Sequence, residues 1–354
     1  MKKVNVGIIG YGFMGHTFVQ SELKDFEEYN VVAICDIDEP KMADAPAGVT
    51  CYNNADEMIA DPRVETVIIA SDNKTHLEMV TKAAKAGKDI LCEKPVALTM
   101  AELESMEQVV KANGVRFTVH QQRRFDKDFR SIKEVYDAGK LGDIYTIKSS
   151  LYGFNGNMHD WHVFKSEGGG MLYDWGVHLI DQMLWMVKGK IKTVYAFMKN
   201  VINTEVDDYF KIILRFENDM IAEIELGTYY LSDKPVWFER HWFVGGNKGS
   251  AYIDGFAPNG KTVTTAKLLT NVPGSVTMTA AGPTRSFGPP APGLIIAEDI
   301  PLKKTEHRDF MVNYLKTVTG EEEFVVKIPE VKRVLAVMEA ARESSRTGRT
   351  VDFE

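Results

Sequence analysis

Cysteine is scarce in this chain: Cys35, Cys51 and Cys92 are the whole supply, odd in number and without any Cys-x-x-Cys spacing. No disulfide framework or thiolate metal site follows from such a set, and buried free thiols in a reducing cytoplasm are the expectation. An excess of positive charge is missing as well. The 42 Lys and Arg face 50 Asp and Glu, and the net charge of -8 argues against a nucleic-acid footprint. No apolar run is long enough to span a bilayer, and the N-terminal one is broken by glycines. Because no small-residue cleavage site follows a hydrophobic region, Met1 is expected to begin the mature protein. No internal repeat is apparent.

What the chain does have is the composition of a soluble globular protein, 44% hydrophobic and 26% charged over 354 residues. That length exceeds the roughly 250 to 300 residues at which one hydrophobic core stops growing, so two domains are expected. The N-terminal run Val4 to Gly15 ends in Gly10, Gly12 and Gly15, with the spacing of a dinucleotide-binding turn. Gly10 permits the tight strand-to-helix turn, Gly12 lets backbone approach a pyrophosphate, and Gly15 allows close helix–strand packing. Glycine turns alone are common, and context is what raises the signal. A helix-like segment from Phe13 to Tyr29 leads to the apolar run Val31 to Cys35, which ends at Asp36, about 20 residues past the glycines. Asp36 can accept hydrogen bonds from an adenosine ribose, unless it merely closes a strand at the surface. No Arg or Ser stands beside it to receive a 2'-phosphate, so NAD is expected over NADP.

Strand-like and helix-like stretches then alternate: a helix at Asp56 to Ala60, a strand at Thr66 to Ala70, and a strand at Asp89 to Cys92. Thr75 with Glu78 and Thr99 with Glu102 are capping-box pairs, the second opening a helix that stops at Gly114. With a last strand at Val115 to Val119, residues 1–120 read as one Rossmann-type, doubly wound α/β unit with a parallel sheet. After a helix from Phe125 to Gly139, residues 121–354 show period-two runs at 145–149, 210–216 and 221–226, predicting an α+β domain with a large, mostly antiparallel open sheet. Its helices should lie on one face. The other face then needs a partner, so a homodimer or homotetramer through that sheet is expected. Residues 257–301, with seven prolines and little charge, read as an irregular lid or subunit arm in competition with plain disorder, the ordered options being favoured because Leu294, Ile295 and Ile296 can be buried. Ile328 to Thr347 is a helix opened by Pro329.

Two segments carry chemistry. Lys94 in Glu93-Lys94-Pro95 lies at the carboxyl end of a parallel strand, where such folds bind ligands, and its ammonium can stabilise a developing alkoxide. As an isolated tripeptide it would read as a surface lysine before a turn. The segment Gly168-Gly169-Gly170 feeds a helix on which Asp174 and His178 are four apart and share a face, with Asp181 extending the stripe. A carboxylate beside an imidazole suits proton transfer, raising the imidazole pKa and fixing its tautomer. The same pair could equally be a buried helix–helix hydrogen bond. A metal site from His159, His162, Asp174 and His178 is not expected, since the spacing is loose and hydride transfer requires none. Trp161 suits either a core or stacking on a sugar face.

Together these motifs resemble the glucose-fructose oxidoreductase, inositol dehydrogenase and MocA (Gfo/Idh/MocA) family over nearly the full length. The likeness rests on the glycine turn, Asn73 with His76, Glu93-Lys94-Pro95, Arg123 and Phe125, the Gly-Gly-Gly to Asp174-x-x-x-His178 segment, and Phe243 to Ser250. The resemblance implies an NAD-dependent oxidoreductase that oxidises a secondary hydroxyl of a sugar, cyclitol or related polyol. Lys94, Asp174 and His178 are then the catalytic trio: His178 takes the hydroxyl proton, Lys94 stabilises and relays it, and Asp174 orients, although His178 and Lys94 both remain candidates for the base. Cofactor contacts fall to Gly10, Gly12, Phe13, Met14, Gly15, Asp36, Ser71, Asn73, His76, Glu93 and Lys94. Arg123, Trp161 and His162 join the trio in lining the substrate pocket. Some relatives keep NAD bound and cycle it internally to cleave a glycosidic bond, and a nucleotide-sensing regulatory protein is the alternative from another class.

Overall fold

The computed structural model describes residues 3–353 apart from 155–157, 159, 232, 234–237, 258, 271–275 and 284–290. The chain opens with strand β1 (Val4–Ile9) and helix α1 (Phe13–Thr17), then β2 (Tyr29–Cys35), β3 (Thr50–Tyr52) and α2 (Ala55–Ala60). There follow β4 (Thr66–Ile69), α3 (His76–Lys85), β5 (Asp89–Cys92), α4 (Met100–Asn113) and β6 (Phe117–Val119). All six strands pair in parallel in the order β3-β2-β1-β4-β5-β6. The order reverses beside β1, which leaves a crevice at the carboxyl ends of β1 and β4, where open α/β sheets take ligands. β4 is buried along its whole length, as a strand covered on both faces must be.

Local chemistry decides where these elements stop. The long helix expected from Phe13 to Tyr29 is shorter: after Thr17 the chain widens into a π-type turn over Phe18–Glu22. Asp25 then adopts φ 67, and Tyr29 already belongs to β2. The Thr99 box is formed, with its hydroxyl accepting from the Glu102 amide and Glu102 reaching back, and Gly114 closes α4 at φ 65. The Thr75 box is not formed. The Thr75 hydroxyl binds the Asp72 carbonyl and the Ser71 hydroxyl instead, each at 2.7 Å, in a short 3-10 turn.

Beyond a 3-10 turn at Gln122–Phe125 come α5 (Lys127–Asp137), β7 (Ile144–Tyr152), α6 (Val177–Met186), β8 (Ile191–Lys199), β9 (Tyr209–Phe216) and β10 (Ile221–Gly227). The chain continues through β11 (Glu239–Gly246), β12 (Gly249–Asp254), β13 (Asn259–Thr265), the two-residue pair β14 (Met278–Thr279) and β15 (Gly282–Pro283), and β16 (Ile295–Asp299). Helices α7 (Asp309–Val318) and α8 (Ile328–Thr347) and strand β17 (Val351–Asp352) end the fold. Nine strands form one sheet in the order β16-β13-β12-β11-β7-β10-β9-β8-β17, antiparallel except where β10 meets β7. Its rows explain the period of two. One row runs Ala196, Ile212, Ile224, Ser149, Trp242 and Ile253, all buried under α5, α6 and α8. The adjacent row, Tyr195, Ile213, Glu223, Lys148, Phe243 and Tyr252, faces away from those helices.

Three expectations change here. The stretch 257–301 is not wholly irregular, because it supplies β13 and β16 to the large sheet. Ile295 and Ile296 stay exposed on that edge strand rather than buried. Cys35 and Cys92 are buried free thiols, whereas Cys51 is exposed. One connection lay outside the sequence pattern altogether. α7, from far down the chain, returns to the first sheet, where the Tyr29 hydroxyl donates to the Met311 carbonyl at 2.7 Å and Arg116 reaches the Val318 carbonyl at 2.8 Å.

Candidate active site

The glycine turn is built by exclusion. A Cβ on Gly10, at φ +88, would lie 2.5 Å from the Ala70 carbonyl, and one on Gly15 would lie 2.2 Å from the Gly10 carbonyl. Both glycines are therefore demanded by the protein's own packing. Gly12 is different: a Cβ there would meet nothing within 4 Å. Open space beside the N-terminus of α1 fits a pyrophosphate approaching the backbone, which is the requirement a dinucleotide makes of that position. Phe13 is exposed and Met14 half-buried on the same turn.

Asp36 has protein partners of its own. Its carboxylate accepts the Tyr11 amide at 2.8 Å and the Asp38 amide at 2.9 Å, so it ties the end of β2 to the glycine turn. The sequence offers no Arg or Ser here, yet folding brings in a cation from the next turn. The Lys41 ammonium lies 3.8 Å from Asp36 and 3.9 Å from Asp38.

Lys94 follows β5 and precedes a cis peptide bond to Pro95. Its amide donates to Glu93 at 3.1 Å, while the other Glu93 oxygen takes the His120 Nδ1–H at 2.6 Å. The His76 ring nitrogens face the carbonyls of Pro95 and Ser71, each at 3.1 Å. Glu93 and His76 were expected to touch the cofactor through the resemblance. Both side chains are buried and bonded to protein groups around the Lys94 loop. Asn73 reaches across to the Glu167 carbonyl at 3.3 Å and Lys74 pairs with Glu167 at 2.6 Å, joining the two domains beside the site.

The Lys94 ammonium meets the Asp174 carboxylate at 2.7 Å and the Asp174 carbonyl at 3.1 Å. Asp174 sits in a π-type turn, Leu172–Gly176, immediately before α6. The expected Asp174–His178 pair is not formed, because each side chain has another partner. The carboxylate turns instead to Lys94 and, at 3.6 Å, to His162. Burial alone would raise its pKa, but the positive charges of Lys94, His162 and Arg123 outweigh that and hold it below the ordinary carboxylate value.

His178 is buried and directs Nδ1–H to Gln121 Oε1 at 2.8 Å, which fixes the tautomer and leaves Nε2 as the acceptor. A carboxylate neighbour was expected to raise its pKa. The opposite holds: burial, then the charges of Lys94 and Arg123, push it well below the ordinary histidine value. A neutral imidazole with a bare Nε2 can accept a proton.

Arg123 stacks its guanidinium 4.0 Å over Trp175 and binds Asp126 at 3.3 Å, while Trp161 and His162 stack with ring centroids 4.0 Å apart. Asp181 leaves the site entirely and forms a buried two-pronged pair with Arg124 at 2.7 and 2.6 Å. His159 lies outside the described residues. Among the described residues no cluster of three or more His, Cys, Asp or Glu could hold a metal ion. No helix among them is long and apolar enough to cross a membrane. Gln121 and His120 escaped sequence reasoning, because a lone glutamine or histidine at a strand end carries no periodic or motif signal.

Residues 4–121 match the oxidoreductase family with an NAD-binding Rossmann fold, and residues 129–252 match the Gfo/Idh/MocA C-terminal domain. A solved NAD-binding protein from Listeria innocua is 33% identical, covers 99% of this chain and 100% of its own, and superposes with a TM-score of 0.89. The scyllo-inositol 2-dehydrogenase (NADP(+)) IolW of Bacillus subtilis is 31% identical over 60% of each chain. The myo-inositol 2-dehydrogenase of Thermotoga maritima is 28% identical over 71% of this chain and 75% of its own. With a parallel six-stranded sheet, a glycine turn open at Gly12 and an antiparallel nine-stranded partner domain, the chain belongs to the Gfo/Idh/MocA family of NAD-binding oxidoreductases.

Proposed function

We propose that this protein is an NAD-linked dehydrogenase that oxidises a secondary hydroxyl of a sugar, cyclitol or related polyol. The observation that carries the proposal is the Lys94–Asp174 ion pair together with His178, whose Nδ1 faces Gln121 and whose Nε2 hydrogen-bonds no described residue. When bound, the dinucleotide supplies the hydride acceptor. The turn at Gly10 to Gly15 holds it, with Asp36 at the ribose. His178 Nε2 takes the hydroxyl proton, the Lys94 ammonium donates to the same oxygen and stabilises the developing alkoxide, and Asp174 holds Lys94 in place. Arg123, Trp161 and His162 line the substrate pocket, the indole stacking on the apolar face of a sugar ring.

Asp36 favours NAD, since its carboxylate would repel a 2'-phosphate. Lys41 and the NADP-linked inositol relative are the reasons to assay both dinucleotides. Reduced-nucleotide absorbance with NAD and then NADP, across sugars, inositols and sugar acids, tests the proposal. Turnover of one polyol class supports it, and silence across the panel sinks it. A general acid or base typically contributes about 10² to 10⁴ in rate, so His178→Ala and Lys94→Ala should lose most turnover while binding NAD normally. Near-wild-type rates in both would overturn the assignment.

The same proposal includes self-association through the outer face of the nine-stranded sheet, where Tyr195, Phe197, Ile221 and Tyr252 are exposed. A homodimer or homotetramer is the expected state, and a monomer by light scattering refutes it. The free thiols suit a reducing cytoplasm.

A further inference from the structure

The catalytic turn is held from behind by a residue outside the trio, reached through the Gly168-Gly169-Gly170 hinge. Asp207, on the approach to β9, accepts the Leu172 amide at its Oδ2 at 2.8 Å and the Met171 amide at its carbonyl at 2.9 Å. Its Oδ1 lies 2.4 Å from where a Cβ on Gly170 would stand, and Gly170 itself is at φ +103. Any other residue at 170 would drive the carboxylate away. Gly170 in turn donates to the His162 carbonyl at 2.9 Å and accepts the Asp174 amide at 3.1 Å. One chain of contacts therefore runs from Asp207 to the two groups that flank the reacting position, Asp174 and His162.

The mount is itself stiff. The adjacent Asp208 is buried and gathers the amides of Val201, Ile202 and Asn203 at 2.6, 2.9 and 3.0 Å. A carboxylate fixed by three backbone donors leaves the next residue little freedom. The first amides of a helical segment have no partner within the segment, so an acceptor at Leu172 settles where that segment begins. It starts in π geometry, and Asp174 is the third residue in.

We propose that Asp207 is a positioning residue of the active site: by clamping the Gly170–Leu172 turn it holds the Asp174 carboxylate against Lys94. The assignment of a catalytic task to that pair rests on the proposed dehydrogenase activity, whereas the clamp does not. Misplacing a reacting group by about 1 Å can cost up to 10²-fold in rate. Asp207→Ala should lower kcat about ten- to hundredfold, counted per NAD-binding site, with KM for NAD changed less than about twofold. Asp207→Asn keeps an oxygen for the Leu172 amide and should recover kcat to within about threefold of wild type.

The experiment joins these rates to amide hydrogen exchange of the peptide covering 168–176, in the full-length protein without ligand. Loss of protection at Leu172, whose acceptor is the side-chain carboxylate, in the alanine variant, restored in the asparagine variant, is the expected result. A purely structural role would lower the melting temperature and the number of NAD sites while leaving the rate per site intact. That outcome overturns the proposal, as does unchanged exchange in Asp207→Ala. If the wild type turns over nothing in the panel, the dehydrogenase proposal fails and the exchange measurement still decides the clamp. If the alanine variant does not fold, Asp207→Asn is read alone: an unprotected Leu172 amide would refute the clamp, and retained protection supports it.

Discussion

Replacing Gln121 by leucine isolates the group that, on the proposed function, prepares His178 as a base. The His178 Nδ1–H points at Gln121 Oε1 at 2.8 Å inside a site where both side chains are buried, so no water takes over when the amide is lost. An unsatisfied buried donor costs about 1–3 kcal/mol. That cost falls on the tautomer with a bare Nε2 and not on the inactive one, whose proton sits on Nε2. Turnover should therefore drop about 5- to 150-fold, with NAD affinity unchanged. Gln121→Glu tests the same contact with the opposite sign. A carboxylate facing Nδ1–H favours imidazolium and raises the His178 pKa. In wild type that pKa is held well below the ordinary value, so the neutral base persists as pH falls through the usual histidine range. In Gln121→Glu the acid limb of kcat/KM should move to higher pH. Stopped-flow and steady-state rates across pH, on the substrate found by the panel, measure both. A Gln121→Leu enzyme within twofold of wild type, or a Gln121→Glu limb that does not move up, refutes this account of His178.

Arg124→Met leaves Asp181 as an unpaired buried charge and should cost about 3–5 kcal/mol in urea unfolding, much of it recovered when Asp181 is also made apolar. An equal loss in the single and double variants would contradict that. Gly12→Ala should fold as wild type but bind NAD more weakly, whereas Gly15→Ala should destabilise, since its Cβ would lie 2.2 Å from a carbonyl; calorimetry of folding and of NAD binding separates them. Burial, with a smaller push from Asp208, raises the Asp207 carboxyl to about 6 against the pull of the Leu172 amide and Arg342. The folded state thus holds that proton more tightly than the unfolded one. The stability it contributes is complete below about pH 4 and lost as pH rises through about 6, by up to about 3 kcal/mol. Asp207→Asn should therefore gain melting temperature at pH 8 relative to wild type, about half as much at pH 5 and little at pH 4, and an equal change at pH 8 and pH 4 would refute the linkage.

The first sheet was legible because its signals are local. Buried parallel strands read as continuous apolar runs, and Gly15 is fixed by the Gly10 carbonyl within the turn they make, although Gly10 itself is fixed by Ala70 after β4. The alternating strands of the second sheet were legible for the same reason, since each residue's face follows from its neighbour's. What escaped were partners set by chain return. Nothing near Tyr29 announces Met311, and nothing near Arg124 announces both Asp181 and Glu330. The proline-rich stretch hid β13 and β16 because β13 carries a single large apolar residue, Val263, and the edge strand β16 buries none of its residues.

At the site, the residue types were legible and their pairings were not. Asp174 and His178 are four apart, and an α-helix would have stacked them. A carboxylate beside His178 would have raised its pKa and made it a poorer base at neutral pH. In the structure Asp174, in the π-type turn over Leu172–Gly176, faces Lys94, and His178 faces the neutral Gln121. On the proposed function the two contacts separate two tasks, charge pairing for the lysine and proton acceptance for the histidine. Gly170 admits the Asp207 carboxylate behind that turn and Gly169 admits the His162 and Trp161 carbonyls, so on the proposed function the Gly-Gly-Gly signature marks the packing of the site and not only a hinge.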